Sequence, residues 1–262
     1  SLIYNKKLVT EMPPDQLSEF PAFNKKLKAA RPGAIAIMWD YASPYFSFPF
    51  LASAGAYVFK RTKSGYDVKD VGVANAGAVK GLEAIIQLIE EGVLPKGSTQ
   101  SVMEEKMSSG VLATMVNGPW VWSDLRKSGI DFALAPLPGL EGKPGRPFVG
   151  VLTALINRST PNDDFAIEFL EKYVCTADGL KAIDTDSPLG VPALKALADE
   201  MSDRNPLIKV TYENALNGIV MPNIPQMGIF WSSMKAALEV VTTGRASPEA
   251  ALKTARKNMT GR

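Results

Sequence analysis

Apolar and polar positions alternate along the chain in blocks of two kinds, and their order predicts an α/β fold. Short runs that are almost wholly apolar, such as LIYN at 2–5 and GAIAIMW at 33–39, are typical of buried strands. Longer runs with apolar residues three or four positions apart are typical of amphipathic helices, and the clearest occupies 75–92. Gly92 is expected to end that helix. Its predicted buried face consists of Val79, Leu82, Ile86 and Ile89.

The same two patterns predict the other elements of the fold. The helix over 159–174 is expected to have Thr160 as its N-cap and Pro161 as its first residue. Asp163 and Asp164 then lie in the first turn, where the helix dipole favours acidic side chains. Further strands are predicted over 111–118, 131–139 and 147–157, and further helices over 20–30, 101–110, 228–243 and 248–259, while 41–55 begins as a loop and becomes helical.

Two segments have the composition of linkers, EGKPGRP at 141–147 and MSDRNP at 201–206. The residues between them, about 148–205, contain one predicted strand and several predicted helices. A chain that crosses more than once between two lobes leaves an insert of this kind in the other lobe. The pattern is therefore compatible with a hinged protein of two lobes.

Composition and charge narrow the classes of function. The chain has 262 residues, enough for one large or two smaller domains, and its formal net charge of +2 is too balanced for a nucleic-acid partner or a basic membrane anchor. It contains no histidine, which excludes a Ser-His-Asp triad, a Cys-His pair and a His-ligated metal built from this chain alone. The lone cysteine, Cys175, excludes an intrachain disulfide, and we expect its thiol to be buried at the end of an amphipathic helix.

Enzymatic chemistry has little support in the remaining residues. A glycosidase needs two carboxylates that face each other across a cleft, and no pattern pairs any two of the scattered candidates. Solvated surface charge is the favoured interpretation of these side chains. GLEGKPGRP at 139–147 lacks the spacing of a phosphate-binding loop. The candidate carboxylates are Asp40, Asp67, Asp70, Glu104 and Glu105.

Three segments shaped by proline deliver aromatic side chains at the ends of predicted elements. They are SPYFSFP at 43–49, NGPWVWS at 117–123 and MPNIPQMGIFW at 221–231. Aromatic rings stack on the flat C–H faces of pyranoses, giving a large contact area at little entropic cost. Each segment alone is better explained as core. Taken together, the three segments support a binding site for a sugar or another flat ligand as well as they support a structural role.

Read as strings, the chain resembles the maltose/maltodextrin-binding proteins, the periplasmic receptors of ABC sugar importers. The matching strings keep the order of that family, and nearly its spacing, over all 262 residues. The strings are SLIYNK at the start, PYF at 44–46, YDVKDVGV at 66–73, NGPWVWS at 117–123, PFVGVL at 147–152, PLG at 188–190, and MPNIPQM followed by FW at 230–231.

The resemblance implies an α/β periplasmic-binding-protein fold, with two lobes joined by a hinge and sugar bound in the cleft between them. It also implies that most of the N-terminal lobe is absent, which agrees with a chain that begins in a strand-like run without an initiator methionine. Residues 1–152 are then the first segment of an essentially complete C-terminal lobe, 153–205 a remnant of the N-terminal lobe, and 206–262 the last helices of the C-terminal lobe.

Sugar contacts of the family carry over at Pro44, Tyr45, Trp120 and Trp231, where the residue identities match, while Trp122 is expected to pack inside the lobe. Three further positions match in place but differ in residue. Ser43 stands where the family usually has an acidic residue, Ser232 where it has tyrosine, and Lys235 where it has arginine. The chain thus keeps the stacking rings of the family and differs in the hydrogen-bonding groups. Ser43 lacks the charge of an acidic acceptor, and Lys235 lacks the planar guanidinium group of arginine.

The function expected from the resemblance is that of the solute-binding component of a maltose/maltodextrin importer, non-catalytic, periplasmic and without cofactor or metal. Its expected partners are a maltodextrin, the membrane subunits of the importer and a chemoreceptor, with no nucleic acid. With half a site, the chain is expected to bind sugar weakly or not at all and to self-associate through uncovered apolar surface. Two alternatives stay open: an oligosaccharide-acting enzyme on a similar scaffold, and a sugar sensor that reports to a signalling partner.

Overall fold

Four strands pair into the main sheet of the structure, a computed structural model that describes residues 1–261. β2 (Ile35–Met38) and β5 (Leu112–Val116) are parallel neighbours. β1 (Leu2–Asn5) lies between β5 and β6 (Phe132–Ala135) and runs antiparallel to both. Every residue of β5 is buried, because strands and helices cover it on all sides. The predicted α/β class is confirmed.

Two small sheets complete the strands. β3 (Lys60–Thr62) and β4 (Gly65–Asp67) form an exposed hairpin. β7 (Phe148–Val149) and β8 (Ile219–Val220) are parallel and join two segments that are distant in sequence. The amide of Ile219 donates to the carbonyl of Pro147 at 2.8 Å, so this pair fixes where the following proline-rich loop begins.

Helices cover the main sheet and share one apolar core with it. The helices are α1 (Phe20–Ala30), α2 (Pro44–Ser53), α3 (Ala76–Glu90), α4 (Gln100–Ser108), α5 (Trp122–Lys127), α6 (Asp163–Phe169), α7 (Ala177–Asp186), α8 (Lys195–Arg204), α9 (Pro206–Asn217), α10 (Met227–Thr242) and α11 (Pro248–Thr260). α1 packs against β2, α4 against β5 and α9 against β6, while α2, α3, α10 and α11 pack on one another.

The predicted elements before residue 140 are confirmed, with one difference in the face that α3 buries. Leu82 and Ile89 are buried as predicted, but Val79 and Ile86 are only half-buried. The buried stripe is turned toward Gly81, whose missing side chain lets α3 approach α2 closely. A β-carbon at Gly81 would lie 2.5 Å from the Cα of Leu51.

The prediction of a strand over 147–157 is wrong beyond Val149. The residues that follow have no regular structure, and the side chains of Leu152 and Leu155 are 84% and 89% exposed. An apolar run forms a strand only where a neighbouring strand accepts its hydrogen bonds. Among residues 1–261 the only strand paired with this run is the two-residue β8.

Three further predictions about the second half of the chain need correction. The N-cap of α6 is Asn162 and not Thr160, because a turn intervenes before the helix begins at Asp163. Most of the predicted linker 201–206 is helical, since α8 continues to Arg204. Cys175 is exposed and not buried, because it follows a π-helical turn (Leu170–Val174) that has no buried residue.

Among the described residues, no helix is both long enough and apolar enough to cross a membrane.

We expect the substitution Asn214→Ala to lower the free energy of unfolding by about 1–3 kcal/mol, the usual effect of leaving a buried polar group unpaired. The buried side chain of Asn214 on α9 accepts a 2.8 Å hydrogen bond from the amide of Leu137, just after β6, and donates to the carbonyl of Val210. Asn217→Ala, at an exposed position of the same helix, is the matched control. Urea unfolding measures both, and equal effects of the two substitutions would contradict the assignment.

Candidate functional site

The parallel pair β2 and β5 brings two of the predicted aromatic segments to one edge of the main sheet. Parallel strands end at the same edge, so the segments that follow them begin side by side. Tyr45 follows β2 in the first turn of α2, and Trp120 follows β5 in a short 3-10 turn. Their ring centroids lie 6.2 Å apart, with an interplanar angle of 53°.

The turn after β5 is fixed by the side chain of Asn117. Its carboxamide oxygen accepts a 2.9 Å hydrogen bond from the amide of Gly118, and its NH₂ group donates to Glu104 of α4 at 3.1 Å. Pro119 then begins the 3-10 turn, where its fixed φ and missing N–H fit. The backbone that carries Trp120 is therefore fixed by the hydrogen bonds of Asn117 and by the restricted φ of Pro119.

The third aromatic segment reaches the same place through β8 and α10. The pairing of β8 with β7 sets the start of the loop over 221–226, and α10 begins after it at Met227. Phe230 is fully buried and Trp231 is half-buried on the first turn of α10. The two ring centroids are 4.8 Å apart, so the half-buried indole of Trp231 packs against the core.

Phe148 on β7 joins the first and third segments, and Tyr45 joins Trp120 to them. Its ring stacks on Phe48 at 5.2 Å and nearly parallel, and its centroid lies 6.3 Å from Tyr45 and 5.4 Å from Trp231. These separations lie in the range favoured for aromatic pairs. We call the six rings the aromatic cluster, which consists of Tyr45, Phe48, Trp120, Phe148, Phe230 and Trp231.

The cluster is graded from buried to exposed. Its buried members are Phe48, Phe148 and Phe230. Tyr45 and Trp231 are half-buried, and the side chain of Trp120 is 49% exposed. Burial raises the pKa of the Tyr45 phenol, so its hydroxyl stays protonated and can donate a hydrogen bond at neutral pH. The arrangement offers solvent an aromatic surface with a neutral polar group at its edge.

The predicted polar contacts lie on the two helices that carry these rings. Pro44 is buried as the first residue of α2, and Ser43 is the half-buried residue before it. Ser232 is exposed beside Trp231, and its hydroxyl donates back to its own helix at Gly228 and Ile229. The ammonium of Lys235, one turn further along α10, is 3.9 Å from Glu239.

The second tryptophan of NGPWVWS has the structural position expected for it. Trp122 begins α5 and is only 3% exposed, whereas Trp120 two residues earlier faces solvent. The two indoles point to different environments because the chain turns through a 3-10 turn into a helix between them.

Most of the candidate carboxylates are engaged in contacts within the protein. Asp70 accepts a hydrogen bond from the hydroxyl of Tyr57 and pairs with Lys60 at 3.1 Å, and these contacts hold the pKa of its carboxyl below the usual value. Glu104 accepts from Asn117, and Glu105 pairs with Lys106. Over the described residues, no three His, Cys, Asp or Glu side chains gather where they could hold a metal ion.

Phe148 is the residue of the candidate site that the sequence does not reveal. A phenylalanine in an apolar strand is typical of core, and Phe148 is indeed buried. Its role is set by β7 and β8, a pairing of two residues each between distant segments, for which no local pattern exists. The one available signal is its place in PFVGVL, one of the strings that carry the family resemblance.

Comparison with known proteins gives the family context of this geometry. A family model described as bacterial extracellular solute-binding protein matches residues 1–210. A galactooligosaccharide-binding protein of Bacillus subtilis is 30% identical over 268 aligned positions, which cover 99% of this chain and 63% of that protein.

Two further relatives are named for glucose oligomers. The maltotriose-binding protein of Pyrococcus abyssi is 28% identical over 252 positions, covering 92% of this chain and 52% of the relative. A maltooligosaccharide ABC transporter solute-binding lipoprotein of Streptococcus pneumoniae is 26% identical over 256 positions, covering 93% and 59%. The chain therefore spans more than half, but less than two thirds, of the length of these relatives.

The two tryptophans of NGPWVWS should differ in their contribution to the free energy of unfolding. Trp122→Ala empties a buried site and should lower the free energy of unfolding by about 3–5 kcal/mol, whereas Trp120→Ala removes a half-exposed ring and should lower it by less than about 1 kcal/mol. Urea unfolding of both variants measures the difference. Equal losses would mean that Trp120 belongs to the core.

Phe148→Ala should both destabilise the fold and loosen the exposed rings. The expected loss is about 3–5 kcal/mol, the usual range for truncating a buried phenylalanine. Acrylamide should quench the fluorescence of Trp120 and Trp231 more strongly in the variant, because the ring that links Tyr45 to Trp231 is gone. Phe165→Ala removes a ring that is 74% exposed and serves as the control. Unchanged quenching in the Phe148 variant would contradict its supporting role.

Proposed function

The chain belongs to the bacterial extracellular solute-binding proteins, and we propose that it is the sugar-binding component of an ABC importer that takes up oligosaccharides. The observation that carries this proposal is the aromatic cluster, which collects Tyr45, Trp120 and Trp231 from three separate segments around Phe148. The names of the three relatives, one of them an ABC transporter lipoprotein, support the same class of ligand.

In this proposal the exposed rings bind pyranose units by stacking. The C–H face of a sugar lies against an indole or phenol ring, which gives apolar contact without desolvating the hydroxyl groups at the rim. Trp120 supplies the most accessible ring, and Tyr45 adds a neutral hydroxyl that can donate to a sugar oxygen. Several rings in one cluster suit a ligand of more than one sugar unit.

Maltodextrins are the ligands we propose first. The matches at Pro44, Tyr45, Trp120 and Trp231 come from the maltose/maltodextrin-binding proteins, and two of the three relatives are named for maltotriose or maltooligosaccharides. Ser43, Ser232 and Lys235 are proposed to hydrogen-bond sugar hydroxyls. Ser43 directly precedes α2, which holds Tyr45, and Ser232 and Lys235 lie within α10, which holds Trp231.

We further propose that 153–205 belongs to a second lobe, while 1–152 and 206–262 form the lobe with the aromatic cluster. The exposure of large apolar side chains in the insert supports this division. Leu155, Phe165, Phe169 and Tyr173 are each at least 58% exposed, which is unusual for a segment that packs on its own domain.

The proposed role is non-catalytic and extracytoplasmic, in the periplasm of a cell that has one. Three of the five candidate carboxylates, Asp70, Glu104 and Glu105, pair with neighbouring residues, which does not favour them as acid and base for hydrolysis. The expected partners are the oligosaccharide and the membrane subunits of the importer. Incubation with maltodextrins followed by chromatography should show intact substrate, and any turnover would contradict the binding role.

A titration with maltotriose, followed by tryptophan fluorescence, tests the proposed function. We expect a saturable change with a Kd of about 1 mM, equivalent to about −4 kcal/mol, because the rings meet the sugar from one side only. Trp120→Ala should abolish the change, and mannitol, which lacks a pyranose ring, should produce none. No response to maltotriose would contradict the maltodextrin assignment, and no response to a galactooligosaccharide either would overturn the sugar-binding proposal.

A further inference from the structure

Gly118 lies directly beneath the indole of Trp120. A β-carbon at this position would overlap Cζ3 and Cη2 of the Trp120 ring and would lie 2.6 Å from Cε3. The backbone of Gly118 has φ −121° and ψ −177°, an extended conformation that any residue adopts. The backbone conformation of the turn therefore does not require glycine at position 118. The position of the Trp120 ring does, because it leaves no room for a β-carbon.

A second glycine supports the same turn from the other side. Gly190, in the PLG string of the insert, is buried against Pro119, and a β-carbon there would lie 2.7 Å from the Cγ of that proline. Gly190 also has φ +79°, in the left-handed region that favours glycine. The first residue of the turn that carries Trp120 is thus in contact with Gly190 of the insert.

Both glycines act on the most exposed ring of the aromatic cluster. Trp120 is 49% exposed, so less of its ring is held by packing than in the buried rings of the cluster. Gly118 gives the indole a flat surface to lie on, and Gly190 fixes the proline immediately before it. Without these contacts the ring would be free to rotate away from Tyr45.

We propose that Gly118 and Gly190 are positioning residues that hold the Trp120 ring in the orientation that meets the ligand. This inference rests on the proposed function for the ligand, but the orientation of the ring exists without any ligand. Because Gly190 lies within the proposed second-lobe segment, a displacement of that segment would be transmitted through Pro119 to Trp120.

Substitutions with matched controls separate the ring contact from the general cost of changing a glycine. Gly118→Ala should turn Trp120 away while leaving the fold intact, because a half-exposed ring can move aside. Gly33→Ala is its control, since a β-carbon there meets nothing within 4 Å. Gly190→Ala is compared with Gly244→Ala, which has the same left-handed strain at φ +71° but no neighbouring atom within 4 Å.

Fluorine NMR of protein labelled with 5-fluorotryptophan reports the ring directly. The chain has four tryptophans, and the resonance that disappears in Trp120→Ala identifies Trp120. Gly118→Ala and Gly190→Ala should shift the Trp120 resonance well beyond the shifts caused by Gly33→Ala and Gly244→Ala. The other three resonances should stay in place, which shows that the variants are folded. A Trp120 resonance that stays at its wild-type position in both variants would overturn the proposal.

Titration of the same samples with maltotriose then separates this inference from the proposed function. The initial slope of the signal change against maltotriose concentration should fall about tenfold in Gly118→Ala. A tenfold loss of affinity corresponds to about 1.4 kcal/mol, the upper range for one aromatic contact. If wild-type protein shows no response to sugar while Gly118→Ala still moves the Trp120 resonance, the proposed function fails and the positioning role stands. Full wild-type sugar response in both glycine variants would contradict the positioning role.

Discussion

The parallel pairing of β2 with β5 is the constraint on which the candidate site depends. It places the ends of both strands at one edge of the sheet, so that α2 and the NGPW turn begin as neighbours although they are far apart in sequence. A buried hydrogen bond from the hydroxyl of Thr114 to the carbonyl of Ala36, at 2.8 Å, holds this pair together. A slip of one residue in the register would turn the side chains of one strand to the other face and would separate Tyr45 from Trp120.

Above that edge, rings are held by other rings and not by hydrogen bonds. Phe48, Phe148 and Phe230 fill the buried layer, and Tyr45 and Trp231 rest on it at the boundary with solvent. A ring that is already fixed by packing loses little conformational freedom when a ligand stacks on it. The cluster is therefore the end of the hydrophobic core and, in the proposed function, a preorganised binding surface. A residue as deep as Phe148 is accordingly expected to affect the exposed rings.

Local patterns predict the parts of the fold that depend on local structure. The strand at 2–5 and the helix at 20–30 were recoverable because the apolar run of the strand and the spacing of apolar residues in the helix lie within the segments themselves. The errors at 147–157 and at Cys175 share a physical cause, since both require knowing what covers a segment from outside. The candidate site divides in the same way: Trp120 and Trp231 stand out in the sequence, whereas Phe148 and Gly190 contact residues that are distant in sequence.

The division between stacking rings and polar side chains bears on how one family serves different sugars. Galactose and glucose units both present C–H groups on a ring face and differ in the orientation of the hydroxyl at C4. The proposed stacking on Trp120 can therefore accept either sugar, whereas hydrogen bonds to hydroxyls discriminate by position. In this chain the polar side chains proposed to make those bonds have other partners available: Ser232 donates to its own helix, and Lys235 lies 3.9 Å from Glu239. A ligand hydroxyl must therefore compete with contacts that already exist, so the net gain from each bond is small. Selectivity between maltodextrins and galactooligosaccharides should accordingly be modest at this surface, and the rings should carry most of the affinity.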